Sequence, residues 1–252
     1  MLKYENVSVS CGHTPLLSNI NLTVNDNTIT TVIGPNGCGK TTLLRALSGS
    51  CTVTSGKIYI DDTDYLSLKP KKRAQLLSYL PQIRGTIPTL SVKTLTEHGR
   101  FPYLGFTRKA NAEDYRIIEN SMNLAGVSDY ATQSVDTLSG GIRQRAYISM
   151  QLAQDSSYVI ADEPTTYLDI PSQKDVISIY RTQKELGKTV ILVLHDIAQA
   201  LSVSDQIIVM KDRKIIAADT PTELLKQHII EDVFGIQIKE FKDEENTYYL
   251  CV

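Results

Sequence analysis

Between an apolar β-branched run ending in Val32-Ile33 and a segment with Leu43, Leu44 and Leu47 at helical spacing lies the octet Gly34-Pro35-Asn36-Gly37-Cys38-Gly39-Lys40-Thr41. It fits the pattern G-x-x-x-x-G-K-[S/T] and has the strand–loop–helix context that pattern requires. Glycines there let successive backbone N–H groups turn toward an anion, and the helix that follows adds its positive N-terminal end. Residues 34–42, through Thr42, are therefore read as a cradle for the phosphates of a nucleotide. Lys40 would reach the β- and γ-phosphates, and the Thr41 hydroxyl could ligate Mg²⁺. The competing reading is a Gly-rich turn that only caps a helix.

The rest of the chain alternates in a way that suits such a loop. Residues 2–9 and 20–33 read as strands, a short strand is expected at about 57–60, and the stretch 70–80 reads as a helix opened by Pro70. Between 85 and 155 strand signals fade. Ser91, Asn111 and Ser139 each stand ahead of apolar residues at three-to-four spacing, as helix caps do. From 158 the alternation returns: strand 158–161, helix 171–186, strand 189–194, helix 196–203, strands near 206–210 and 213–217, then short helices. Strands alternating with helices predict a parallel sheet covered on both faces. The expected organisation is one domain over 1–252, with a nucleotide-binding core at 1–84 and 156–252 and an inserted helical subdomain at 85–155.

Composition removes several function classes. The 26 Lys+Arg against 28 Asp+Glu give a net charge of −2, so no nucleic-acid partner is expected. Apolar runs such as Thr189–Leu194 are strand-sized, far short of the roughly 20 residues of a membrane helix, and Met1–Asn6 lacks the apolar core of a signal peptide. Cys11, Cys38, Cys51 and Cys251 have no metal-ligand spacing, and a disulfide scaffold of this size would be unusual. A soluble cytosolic chain without a disulfide staple is expected. Cys38 sits inside the loop, either as a reactive thiol or as a small filler.

Further chemistry is expected at strand ends, where a parallel sheet meets its ligand. The apolar run Tyr158–Ala161 ends in Asp162-Glu163. Asp162 could hold Mg²⁺ through water, and Glu163 could polarise an attacking water. His195 follows Val190–Leu194, where a γ-phosphate contact is expected, and Gln82 after Tyr79-Leu80-Pro81 could reach the metal or the water. A second cradle is suggested by Leu138-Ser139-Gly140-Gly141 ahead of a helix. One chain needs one cradle, so the second makes sense as a cover for a nucleotide held by another copy, the two arranged head to tail.

The ordered set GPNGCGKTT at 34–42, LPQ at 80–82, LSGGIRQR at 138–145, VIADEPTTYLD at 159–169 and VLHD at 193–196 resembles the ATP-binding cassette ATPases of ABC transporters over nearly the whole chain. The segment Gly99-Arg100-Phe101-Pro102-Tyr103-Leu104-Gly105, together with 162–170, looks like the importer subfamily for ferric siderophores, ferric citrate, haem and cobalamin. The resemblance implies a P-loop (RecA-like) parallel core with an N-terminal antiparallel β subdomain and a helical insertion. It implies an ATPase that binds ATP at Gly34, Pro35, Asn36, Gly37, Cys38, Gly39, Lys40, Thr41 and Thr42. Thr41, Gln82 and Asp162 would serve Mg²⁺, Glu163 would be the base, and His195 would contact the γ-phosphate. Ser139, Gly140 and Gly141 would act across a homodimer, with Asp169 at its seam. It implies two transmembrane permease subunits docked near 82–105, an extracytoplasmic substrate-binding protein, and a peripheral place on the cytoplasmic face of the inner membrane. A soluble cassette ATPase of iron–sulfur cluster assembly would share every nucleotide motif; the 99–105 segment favours transport.

Two departures stand out. Many members of the family place an adenine-stacking aromatic where this chain has Cys11, a loss worth roughly 1–3 kcal/mol by analogy with base stacking. Weak base discrimination is expected, with His13 as a substitute ring. Ile142 replaces the usual polar residue after the two glycines, which implies slower turnover.

Overall fold

The computed structural model describes residues 1–12, 14–83, 85–105, 109–243 and 247–252. The first half of the chain forms β1 (Leu2–Cys11), β2 (Thr14–Val24), β3 (Ile29–Ile33), α1 (Lys40–Ser48), β4 (Thr52–Ile60), β5 (Thr63–Asp64), α2 (Pro70–Leu76), β6 (Leu77–Leu80), α3 (Val92–His98) and α4 (Ala112–Leu124). There follow α5 (Gly140–Ala153), β7 (Tyr158–Asp162), α6 (Ile170–Glu185), β8 (Thr189–Val193), α7 (Ile197–Val203), β9 (Gln206–Lys211), β10 (Lys214–Asp219), α8 (Pro221–Lys226), α9 (Ile229–Phe234), β11 (Ile238–Lys242) and β12 (Thr247–Cys251). The architecture is α/β, and two compact units divide it: Met1–Leu68 with Thr189–Val252, and Lys69–Lys188.

In the first unit β3 runs parallel to both β8 and β9, and β10 lies antiparallel on β9. Every residue of β3 and β8 is buried, which explains why both read as continuous apolar or β-branched runs rather than alternating ones. A second sheet, antiparallel in the order β2-β1-β4-β5, supplies the alternation seen near the N-terminus. The expected strand over 20–33 is interrupted at 25–28. Asn27 turns there with φ 55°, and its N–H bonds Thr189 Oγ1 at 3.0 Å.

The second unit pairs β6 with β7 in parallel, Leu77 opposite Tyr158 and Leu80 opposite Ala161. This corrects the expectation of a helix over 70–80: α2 stops at Leu76, and the sheet takes the last four residues. Pairing on a fully buried neighbour outweighs the local helical pattern. Helices α3 and α4 pack on α5. Thr96 and Ser149 share a hydrogen bond of 2.6 Å between α3 and α5. Arg100, buried past the end of α3, bonds Asp114 Oδ1 and the Ala153 carbonyl, each at 2.9 Å. Asn111 and Asp114 form a reciprocal capping box at the start of α4, and Ser91 caps α3.

A further correction concerns the cysteines. Cys11 and Cys51 are joined as a disulfide, their Cα atoms 4.9 Å apart. β1 and β4 are antiparallel with Ser10 opposite Thr52, so the next pair outward sets Cys11 against Cys51. Strand register brings together residues separated by 40 positions, and linear spacing carries no sign of it. The β11–β12 hairpin was likewise not expected from the sequence.

Candidate functional site

The phosphate-type loop begins where β3 ends, between two parallel neighbours. Gly34 is buried, and a Cβ there would stand 2.3 Å from the Met210 carbonyl oxygen of β9 and 2.6 Å from Cys38 Sγ. Gly37 and Gly39 take φ of 78° and 106°, conformations that a side chain disfavours. A Cβ on Gly39 would also meet Leu17 of β2 at 2.7 Å. The loop is thus glycine-dependent because strands crowd it from below. The Lys40 ammonium, almost fully buried, donates to the carbonyls of Gly34 at 2.7 Å and Pro35 at 3.2 Å. Thr41 and Thr42 stand in the first turn of α1, half-buried. Cys38 is 4% exposed, which favours the filler reading over the reactive one. Asn36 and Gly37 are exposed at the tip.

His195 lies at the same sheet edge as this loop. β3 and β8 pair in parallel with Val32 opposite Val193, and Gly34 and His195 each follow two residues later. His195 is exposed, and Asp196 beside it caps α7 by accepting from the Gln199 N–H at 3.0 Å. His13 lies outside the described residues.

The second unit gathers another group of expected residues at the ends of β6 and β7. Gln82 Nε2 donates to Glu163 Oε2 at 2.5 Å, and Thr166 Oγ1 donates to the same oxygen at 3.4 Å. Asp162 is buried, with the Tyr79 hydroxyl donating to Oδ2 at 3.3 Å. Glu163 itself holds φ 55°, a strained backbone for a side-chain-bearing residue. Asp169 caps α6 by accepting from the Ser172 N–H at 3.0 Å; hydrogen bonds from Ser172 hold its carboxyl below the ordinary value.

Ser139, Gly140 and Gly141 open α5. Ser139 is exposed and makes no capping bond through its side chain, contrary to the expected Ser cap. A Cβ on Gly140 would meet nothing within 4 Å, whereas one on Gly141 would stand 2.7 Å from Ser172 Oγ. Sequence reasoning missed Gln151 on α5. Its amide donates to the Ile160 carbonyl of β7 at 2.7 Å while Tyr180 donates to its oxygen at 3.0 Å, so α5 and β7 share a buried polar brace. Tyr79 and Thr166 were missed too; only their places beside Gln82 and Glu163 hinted at them.

Comparison with known proteins decides the family. The ABC transporter family profile matches residues 17–166. This chain belongs to the ABC transporter family. As an ATPase of that family it is 34% identical to the petrobactin import ATP-binding protein FpuD of Bacillus anthracis, over 100% of this chain and 92% of that protein. It is 33% identical to the iron(3+)-hydroxamate import ATP-binding protein FhuC of Bacillus subtilis, over 100% of this chain and 94% of the relative. Against the ferric enterobactin transport ATP-binding protein FepC of Escherichia coli the identity is 35%, over 94% and 88%. Among solved structures, cbiO1 of Clostridium perfringens, part of the ABC transporter complex cbiONQ, superposes with a TM-score of 0.78 at 25% identity, over 92% of this chain and 93% of that one. The ATP-binding cassette MJ0796, solved as a post-hydrolysis dimer bound to ADP and Pi, gives 0.76 at 28% identity, over 88% and 99%. Among the described residues no helix is long and apolar enough to cross a membrane.

The ABC-type loop passes a test of fit for ATP on its own geometry: Gly34 and Gly39 sit where side chains would collide, and a buried ammonium stands at the helix start. For Mg²⁺, Thr41 of the first unit offers a hydroxyl, and Gln82 and Asp162 of the second offer an amide oxygen and a carboxylate. Hard oxygen donors with few carboxylates suit that ion, which relies on nucleotide phosphates and water for the rest. No cluster of three or more His, Cys, Asp or Glu fit for a metal occurs among the described residues.

Proposed function

We propose that this chain hydrolyses ATP to drive the import of an iron chelate of the ferric siderophore class. It would work as a homodimer on the cytoplasmic face of the inner membrane, bound to two permease subunits that receive cargo from an extracytoplasmic binding protein. The full-length likeness to three ATP-binding proteins named for iron-chelate import or transport carries this reading. A local feature supports the permease surface. Phe101 is exposed, and with His98, Leu104 and Tyr115 it lines a groove of about 520 Å³ on the helices that follow Gln82.

In this reading residues 34–42 enclose the triphosphate, and Lys40 exchanges its two carbonyl partners for phosphate oxygens. Thr41, Asp162 and Gln82 would hold Mg²⁺, which when bound neutralises charge on the β- and γ-phosphates. Glu163 accepts a proton from the attacking water, and His195 hydrogen-bonds the γ-phosphate. Ser139, Gly140 and Gly141 of one copy close over the ATP of the other, with Asp169 at the seam. The helical subdomain, taken as 85–155, carries closure to the permease. Catalysis is then positioning and charge neutralisation rather than covalent chemistry.

The test is uptake of labelled ferric siderophore into vesicles carrying the permease, with wild-type chain or Glu163→Gln. Loss of a general base is expected to lower ATP turnover by about 10²–10⁴-fold and to abolish uptake while ATP is still bound. Uptake that persists in Glu163→Gln would refute the coupling.

A further inference from the structure

The Cys11–Cys51 bond takes no part in the phosphate chemistry just described, yet it ties the end of β1 to the segment that leaves the helix opened by the phosphate loop. Cys51 follows the end of α1 closely: its N–H bonds the Arg45 carbonyl at 3.3 Å, just past the Gly49 cap. Cys11 ends β1, and Gly12 after it holds φ 61°. On β2, Leu17 pairs with Val9 and sits where a Cβ on Gly39 would collide, at the start of α1. One covalent bond therefore joins the segment leaving α1 to the end of β1, the strand whose Val9 pairs with the Leu17 that lies against Gly39. The two sulfurs differ in access, for Cys51 is buried and Cys11 is half-exposed.

We propose that Cys11 and Cys51 form a thiol–disulfide exchange site for low-molecular-weight disulfides, and that its redox state sets the affinity of the phosphate loop for ATP. The proposal rests on the reading above in one respect, the cytoplasmic compartment. Disulfides there are rare in most organisms, and those that form are usually transient and sensing. Oxidation begins at the accessible sulfur. The Cys11 thiolate attacks one sulfur of oxidised glutathione, forming a mixed disulfide and expelling one glutathione thiolate. The Cys51 thiolate then attacks the Cys11 sulfur and expels the second glutathione. Two protein thiols are oxidised to one disulfide, and one glutathione disulfide is reduced to two thiols. The closed bond fixes the end of β1, whose Val9 pairs with Leu17, so Leu17 supports Gly39 without further ordering when ATP arrives. ATP binds the oxidised form more tightly, and by linkage ATP favours the oxidised form by the same factor.

The experiment equilibrates the purified full-length chain in buffers of stepped reduced-to-oxidised glutathione ratio. The Cys11 and Cys51 thiols are counted by alkylation and mass spectrometry, and a fluorescent ATP analogue is titrated at each ratio. Affinity is expected to be about 5-fold tighter in the oxidised form, at the low end of typical couplings. Saturating analogue should shift the half-oxidation ratio by the same factor. Cys51→Ser should lose the dependence, and Cys251→Ser should keep it. Should Cys51→Ser fail to fold, wild type reduced with dithiothreitol and checked by circular dichroism gives the same comparison. A pair that stays closed at every ratio, a pair that never closes, or equal affinity in the two states overturns the proposal. The titration uses no permease and no cargo, so it stands apart from the uptake assay.

Discussion

The helix starts at Lys40 and at Ser139 look alike in sequence, each a small-residue turn opening a helix, but they are built to opposite ends. The first is closed on itself: Lys40 has its carbonyl partners within the loop, and Gly34 and Gly39 are crowded by Met210, Cys38 and Leu17. The second is open: Ser139 and Gly140 are exposed, the serine makes no capping bond, and among the described residues nothing stands within 4 Å of where a Gly140 Cβ would be. A cradle whose partners all come from its own chain can be complete in a monomer. One that presents bare N–H groups and a bare hydroxyl is unfinished until something else arrives, which is the part the proposed dimer would supply. The supports differ as well. α1 is held by backbone and apolar packing, whereas the far end of α5 is held by the Arg100 guanidinium on Ala153 and Asp114.

That last difference gives the largest expected effect. Asp114→Ala strands a buried guanidinium and should destabilise the fold by about 3 kcal/mol, measured by urea unfolding. Burial raises the Asp114 carboxyl, but the Asn111 N–H and Arg100 outweigh it and leave it below the ordinary value. The pair's contribution is therefore whole above the unfolded pKa of about 3.9 and is lost as pH falls through the lower folded one. Hydrogen exchange should show α5 loosening in that acid range before α1, and Asp114→Ala should leave α5 loosened at every pH, without the acid dependence. Next in size, Lys40→Ala should weaken ATP binding by the monomer about 100-fold in calorimetry, as removal of a buried, charge-assisted phosphate partner implies. Smallest, Ser139→Ala should leave ATP binding by the monomer unchanged but weaken the ATP-bound Glu163→Gln dimer about 10-fold, read by light scattering. Equal losses in monomer and dimer would end the distinction between the two helix starts.

Much of this was legible in the sequence where the signal is local. The glycines, Lys40 and Thr41 sit in one octet because a loop of that shape needs them consecutively, and Ser91 and Asn111 announce their helices within four residues. What depends on pairing between distant segments was not legible. β6 reads as the tail of α2 because four residues cannot declare a parallel partner 81 positions away, as with Leu77 and Tyr158. The Cys11–Cys51 bond follows from the β1–β4 register, which no spacing rule encodes. Gln151 looked like any polar residue on a helix; its meaning lies in the Ile160 carbonyl and the Tyr180 hydroxyl that the fold brings to it.

The inward bonds of Lys40 have a consequence for selectivity among anions. Any newcomer to the loop must coax that ammonium off two carbonyls before gaining its charge. A small oxyanion such as sulfate or free orthophosphate has too few other handholds to compensate. A long polyphosphate, gripped along the whole run of amides, has enough. The loop is thereby expected to prefer a long polyphosphate over a small oxyanion.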